Sequence, residues 1–322
     1  MKRLLLALMA AAAVVVGPAL SADDFPSRPI TFVPVFGPGS ASDTVCRIIG
    51  DQLSAELKTS VVVEPRPGAD GAIAATYVSR AAPDGYTLML ATNSPLSAAP
   101  FLIKTSYDAI KDFTPVSRVG SFTLMIVVNP SVPIHSLAEL VSYAKANPGK
   151  LSFASGNTAG IVAIATINRW AGTDIVHVPY KTTPPALQDV MAGRVSMMLA
   201  DFTTASPHVK SGALRAIAVS RIKRSSLFPD LPTIDESGLT GFNLDTWAAF
   251  VAPAKTPPAV VTKLNAALRK VIDQPDVQAK FKNVGFEGFS STPEELGDYI
   301  KVQLTMWGKM IKDAGIGVES GQ

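Results

Sequence analysis

The sequence holds one cysteine and three histidines in 322 residues, and each shortage removes a class of chemistry. Cys46 has no partner for an internal disulfide, and it falls beside the apolar stripe of the first predicted helix, where a packed thiol is expected. His135, His177 and His208 stand at no metal-binding spacing from one another. His177 sits inside a predicted strand at Ile175–Val178, a place for a packed or hydrogen-bonded ring rather than a general base. No G-x-S-x-G nucleophile elbow is present. Asp43, Asp70 and Asp201 could meet only through folding. These gaps argue against an enzyme, and no metal or cofactor is expected.

Charge is also sparse, at 17% of residues with a formal net charge of +3. Long apolar runs are missing after the first twenty residues or so, which excludes a later helical membrane span. The one early run, Leu4–Val16, follows Lys2 and Arg3 and precedes Gly17-Pro-Ala-Leu-Ser-Ala22. A basic start, a short apolar core and small residues at a cleavage point describe a secretory signal over residues 1–21, cut after Ser21. No cysteine marks a lipid anchor at that boundary. Loss of Lys2 and Arg3 lowers the formal charge from +3 to +1, so the exported chain offers nucleic acid no basic footprint. With 47% hydrophobic residues, the remainder suffices for two cores in a soluble exported protein.

The chain is organised around Ile30–Leu57. Ile30–Phe36 is β-branched and aromatic, a short buried strand. Val45, Ile48, Ile49, Leu53 and Leu57 then form one helical stripe. Between them lie Gly37, Pro38, Gly39, Ser40, Ala41, Ser42 and Asp43, with Asp43 placed to cap the helix. A strand feeding a helix through small residues leaves backbone N–H groups unpaired at the positive end of the helix dipole, which is an anion site. Gly37-Pro-Gly39 with Ser42, and Glu64 after the next strand, imitates a dinucleotide fingerprint, but the third glycine is absent and Pro38 removes a donor.

A second strand–turn–helix repeats the arrangement: Val61–Glu64, then Gly68, Ala69, Asp70 and Gly71, then a helix from Ala72 to Ala81. A third strand, Tyr86–Ala91, ends in Thr92, Asn93 and Ser94. Three strand ends then share the carboxyl edge of one sheet, where open α/β sheets bind ligands. Asp70 reads as a cap on the Gly71–Ala81 helix. Its charge beside a bound carboxylate would favour an amino- or hydroxy-substituted acid, or a monocarboxylate.

Extended runs near Phe113–Asn129, carried by Val116–Val119 and Phe122–Val128, and at Asp245–Ala252 read as two crossings between units. Between them, strands at Leu151–Ala154, Ile175–Val178, Val195–Leu199 and Leu214–Val219 alternate with helical segments, predicting a second parallel α/β layer. Their carboxyl ends carry Ser155, Gly156, Asn157 and Thr158, then Tyr180, then Asp201, Phe202 and Thr203. Ser136-Leu-Ala-Glu139 and Thr292-Pro-Glu-Glu295 are capping boxes. Leu296, Tyr299, Ile300, Leu304, Trp307 and Ile311 form the core face of the last helix. The expected units are residues 22–123 with 248–322, and residues 124–247.

These segments resemble one family, the periplasmic substrate-binding proteins of tripartite tricarboxylate transporters, also called Bug proteins. The likeness rests on Phe25-Pro-Ser-Arg-Pro-Ile30, Glu64-Pro-Arg-Pro-Gly-Ala69, Ala81-Ala-Pro-Asp-Gly-Tyr-Thr87, Ala144-Lys-Ala-Asn-Pro-Gly-Lys150 and Ile175-Val-His-Val-Pro-Tyr-Lys181, with Trp307-Gly-Lys near the end. The resemblance implies a two-lobed type II-like binding protein of two parallel-sheet α/β domains, a monomer that closes on a small carboxylate in the periplasm and delivers it to membrane transporter subunits. It implies that Phe36–Asp43 and Gly68–Ala72 grip the carboxylate, while Ser155–Thr158 and Ala200–Thr203 tune the ligand. Four departures fall at that pocket: Gly39-Ser40 in place of paired glycines, Asp70 in place of a small residue, a shortened loop after Ser155, and Thr182-Thr183-Pro184 after Lys181.

Overall fold

A computed structural model of the chain describes residues 25–225 and 228–317, so the expected signal segment lies outside the described residues. The organising stretch folds as read. Strand β1 (Ile30–Pro34) feeds α1 (Ala41–Leu57), whose Val45, Cys46, Ile49 and Leu53 are fully buried. Strands β2 (Val61–Val63) and β3 (Thr87–Thr92) lie parallel to β1 on either side of it. Between them runs α2 (Ala72–Ser79).

The first crossing is two strands, β4 (Phe113–Phe122) and β5 (Leu124–Val128), broken at Thr123. It leads into α4 (Leu137–Ala146), β6 (Ser152–Ser155), α5 (Thr158–Ala171), β7 (Val176–Pro179), α6 (Thr183–Met191), β8 (Met197–Asp201), α7 (Phe202–Lys210) and β9 (Arg215–Val219). The return crossing is β10 (Thr246–Pro253), followed by α8 (Pro258–Ile272), α9 (Pro275–Asn283), β11 (Phe286–Gly288) and α10 (Pro293–Asp313). The sheets run β11-β4-β10-β3-β1-β2 and β7-β6-β8-β5-β9.

Both sheets are mixed, not parallel as expected. Strand β10 is antiparallel to β3 and β4, and β5 is antiparallel to β8 and β9. Only a helical crossover returns the chain to a parallel direction, and the crossing strands enter their sheets without one. The 3-residue strand β11 pairs with β4 at Gly120, where a Cβ would stand 2.2 Å from the Glu287 carbonyl oxygen. Glycine is required there by that close approach.

Each sheet is covered on both faces. Phe32, Ile49, Phe250 and Leu264 pack on one side of the first sheet, Val33, Met89, Trp247 and Leu296 on the other. Ile126, Phe153, Ile164 and Leu199 cover one side of the second sheet, Met125, Met198, Leu187 and Phe202 the other. Period-2 alternation along each strand sorts them. Thr292 closes its capping box with Glu295. At α4 the Ser136 hydroxyl accepts from Glu139 N–H, but the Glu139 carboxylate accepts from the His135 N–H, one residue earlier than a capping box requires. A π-helical turn at Ser94–Ala98 and the short α3 (Ala99–Leu102) follow β3, with Pro95 and Pro100 in their first turns, where proline is tolerated.

Candidate functional site

Five strand ends meet where the two lobes face each other. Phe36, Ser40, Ala41 and Ser42 follow β1, and Thr92, Asn93 and Ser94 follow β3. Asn157 and Ala159 follow β6, Thr183 follows β7 and Asp201 ends β8. Phe122, Leu124 and Thr246 close the floor from the crossings. The enclosed space is tight, with about 30 Å³ open to a water-sized sphere. Across its mouth the lobes touch: a Cβ built on Gly37 would lie 3.5 Å from Thr182 Cγ2.

The chemistry of this wall is donor-rich and without a cation. Helices α1, α5, α6 and α7 all start at it. At α1 the cap is Ser40, not Asp43 as expected, because the helix begins at Ala41, four residues before Val45 opens its apolar stripe. Ser40 Oγ accepts from Asp43 N–H at 3.3 Å, and the Asp43 carboxylate accepts from Gly39 N–H at 3.0 Å and from the Arg47 guanidinium. Ser40 N–H is itself taken by the Gly37 carbonyl at 3.1 Å. The first-turn N–H groups of Ala41 and Ser42 remain without an intrahelical acceptor. At α5, Asn157 Oδ1 caps Gly160 N–H at 3.1 Å. Buried Asn93 Nδ2 and Thr158 Oγ1 have no hydrogen-bond partner among the described residues. No lysine or arginine lines the cavity. Four helix N-termini converge here, with free first-turn amides clearest at α1, while Pro184 and Pro185 leave α6 fewer donors and Phe202 N–H of α7 is taken by the Thr123 carbonyl; the convergence suits an anion without a salt bridge.

Asp201 is the one carboxylate in the wall. Burial pushes its pKa up, against hydrogen bonds from Thr204 N–H and hydroxyl and from Thr183 that hold it down. Its oxygens are engaged in capping α7 and bracing α6, which is a structural use.

Other expected residues stand behind the wall. Gly39 and Asp43 shape the α1 turn, and Ser155, Gly156, Thr158, Phe202 and Thr203 form the layer beneath. Gly156 is so close to α6 that a Cβ would meet Thr183 N at 2.4 Å. Gly68, Ala69, Asp70, Gly71 and Ala72 lie behind the Ser94–Ala98 turn, with Gly71 against Pro95. Asp70 does not cap α2: the cap position is Gly71, with no side-chain hydrogen bond, and Asp70 sits in a left-handed conformation with φ 51°. Its charge, after burial, helps raise the Tyr107 phenol. Tyr180 turns its hydroxyl away to Asp189 at 2.6 Å. His177 is hydrogen-bonded, to Ser155 Oγ at 2.5 Å, and stacks on Phe153.

Sequence reasoning missed Phe122, Leu124, Ala159 and Thr246, and named Ser94 and Thr183 only as neighbours of the expected site. The crossings were legible, and strands that pass between two lobes must floor the space between them, so Phe122, Leu124 and Thr246 had a usable signal.

A family profile described as "Tripartite tricarboxylate transporter family receptor" matches residues 45–316. The chain belongs to that family. It is similar to the solved R. palustris Rpa4515 with adipate, at 31% identity and a TM-score of 0.89, covering 92% of this chain and 100% of that one. The periplasmic binding protein BugD superposes at 33% identity and a TM-score of 0.88, with the same coverage of 92% and 100%. MatC (Rpa3494) from Rhodopseudomonas palustris with bound malate gives 31% identity and a TM-score of 0.83, covering 89% and 100%. The chain is thus a periplasmic-type solute-binding protein of two mixed α/β lobes, and not an enzyme.

Proposed function

We propose that the cavity between the lobes captures a small organic carboxylate in the periplasm and that the closed, loaded receptor hands it to transporter subunits in the membrane. One observation carries this reading: α1, α5, α6 and α7 aim their N-termini at a single cavity that no cationic side chain lines. Such a site recognises negative charge through backbone N–H groups and one amide, Asn93. The bound adipate and malate of the similar proteins support the ligand class. The family's description supports the transporter. The site is complete within one chain, which supports action as a monomer.

Capture requires the lobes to part, because the present space holds a water or two rather than a chain of carbons. The β4–β5 and β10 crossings are the hinge of that motion. Melting curves against a panel of mono-, di-, hydroxy- and amino-carboxylates test the reading, together with X-ray scattering on the bound and stripped protein. A raised melting temperature for at least one carboxylate and a smaller radius of gyration on binding are expected. A flat panel sinks the ligand class, and an unchanged radius sinks the closure.

A further inference from the structure

Thr123 points away from the cavity its neighbours line. Phe122 and Leu124 face the front, so an extended backbone sends Thr123 to the opposite side of the hinge. There it borders a groove of about 590 Å³, built by both lobes. The second lobe supplies Arg221, Lys223 and Arg224, and the first supplies Lys282 and Glu287. Arg221 bridges the two, with Nη1 donating to Glu287 Oε2 at 2.6 Å and Nε 3.6 Å from Asp245 Oδ1. Arg224 pairs with Glu236 at 2.8 Å. Lys223 and Lys282 are exposed and form no ion pair among the described residues. Arg221 and Arg224 are thus engaged by Glu287, Asp245 and Glu236, and Lys223 and Lys282, one from each lobe, are the groove's cations without an ion pair among the described residues.

Front and rear openings sit on opposite sides of one hinge, so they vary inversely. A rotation that parts Gly37 from Thr182 drives α9 toward the Arg221–Ser225 segment and narrows the rear. In the present structure the front space is about 30 Å³ and the rear groove about 590 Å³, with the front lips close together.

We propose that this rear groove is a docking surface for an acidic polypeptide segment of a partner, presented in full only while the cleft is closed. A polypeptide fits better than a small anion because the unpaired ammonium groups of Lys223 and Lys282 are exposed and belong to different lobes, whereas a small anion needs buried donors converging on one point. Its dependence on state gives a partner a means of telling a closed receptor from an open one. That timing rests on the closure proposed above; the charge recognition does not.

The double variant Gly37→Cys/Thr182→Cys places two thiols across the front lips, and oxidation ties them without any ligand. The probe is a fluorescein-labelled oligoglutamate peptide, read by anisotropy at low salt. The oxidised protein is expected to bind it about tenfold more tightly than the reduced one. Lys223→Gln/Lys282→Gln, in the wild-type chain and in the locked one, is expected to weaken the peptide about tenfold, two exposed charge contacts' worth, while carboxylate-induced melting shifts persist. Equal binding by oxidised and reduced protein overturns the dependence on state, and unchanged binding by the lysine variant overturns the groove. Sulfate that competes as well as the peptide at equal charge overturns the polypeptide. A chain that answers to no carboxylate yet passes both peptide comparisons supports the groove while the front-site reading falls.

Discussion

Leu296 and Trp307 share one helix but not one core. Leu296 belongs to the apolar cluster of Val33, Met89 and Trp247 in the first lobe, while Trp307 belongs to the cluster that holds Ile126, Phe153 and Leu199 of the second. Helix α10 is therefore a third connection between the lobes, beside the two strand crossings. Gly308 lets it sit flush on the Phe101 ring of α3. Trp307→Ala should cost about 3–5 kcal/mol, the range for emptying a buried indole site, and Trp307→Phe less than about 1.5 kcal/mol. Urea unfolding measures both; a cost below about 1 kcal/mol for the alanine would place Trp307 outside the core.

Ala41→Pro separates backbone capture from side-chain capture. Ala41 is the first residue of α1, where proline is tolerated, and Ser40 has φ −71° and ψ 163°, which a following proline accepts. The fold should keep its melting temperature while carboxylate affinity falls well over tenfold, because the Ala41 donor is gone. Ser42→Ala keeps every N–H and should cost several-fold at most. Calorimetry giving the reverse order would assign the grip to side chains.

Asp70→Asn should leave carboxylate affinity within about twofold, since Asp70 lies outside the cavity wall. The Tyr107 phenol, raised by burial and then by Asp70, should titrate lower in the variant. Ultraviolet titration reads the second effect; a tenfold gain in dicarboxylate affinity would return Asp70 to the site.

Asp201 sets a pH dependence. Its folded pKa is raised by burial, so the fold prefers it protonated, and that contribution is present at low pH and lost as pH rises through the raised value. Asp201→Asn, which keeps an acceptor for Thr204 N–H, should therefore not destabilise the protein at neutral pH. Ionised Asp201 also repels an anionic ligand. Dicarboxylate affinity should strengthen several-fold as pH falls through the raised value of Asp201, over the range in which the ligand's own carboxyls stay ionised. The slope should vanish in Asp201→Asn; a slope that survives the substitution assigns the effect to another group.

The order of the main strands and helices apart from α3, α9 and β11, the capped starts at Ser136 and Thr292, the packed Cys46 and the two crossings were legible in the chain, because they depend on local periodicity and on residues a few positions apart. So was the small polar character of the loops at the strand ends. Sheet direction was not legible: a strand's hydrophobic alternation is the same whether its neighbour runs parallel or antiparallel, and β5 and β10 took their direction from the crossing. Which loop residues reach the cavity was not legible either. Asn93 and Thr183 line it while Asp70 and Tyr180 do not, a choice made by φ/ψ at Asp70 and by the Asp189 partner of Tyr180. The division of α10 between two cores lies beyond sequence for the same reason: the stripe Leu296–Ile300–Trp307–Ile311 is continuous, and only the placement of the lobes cuts it in two.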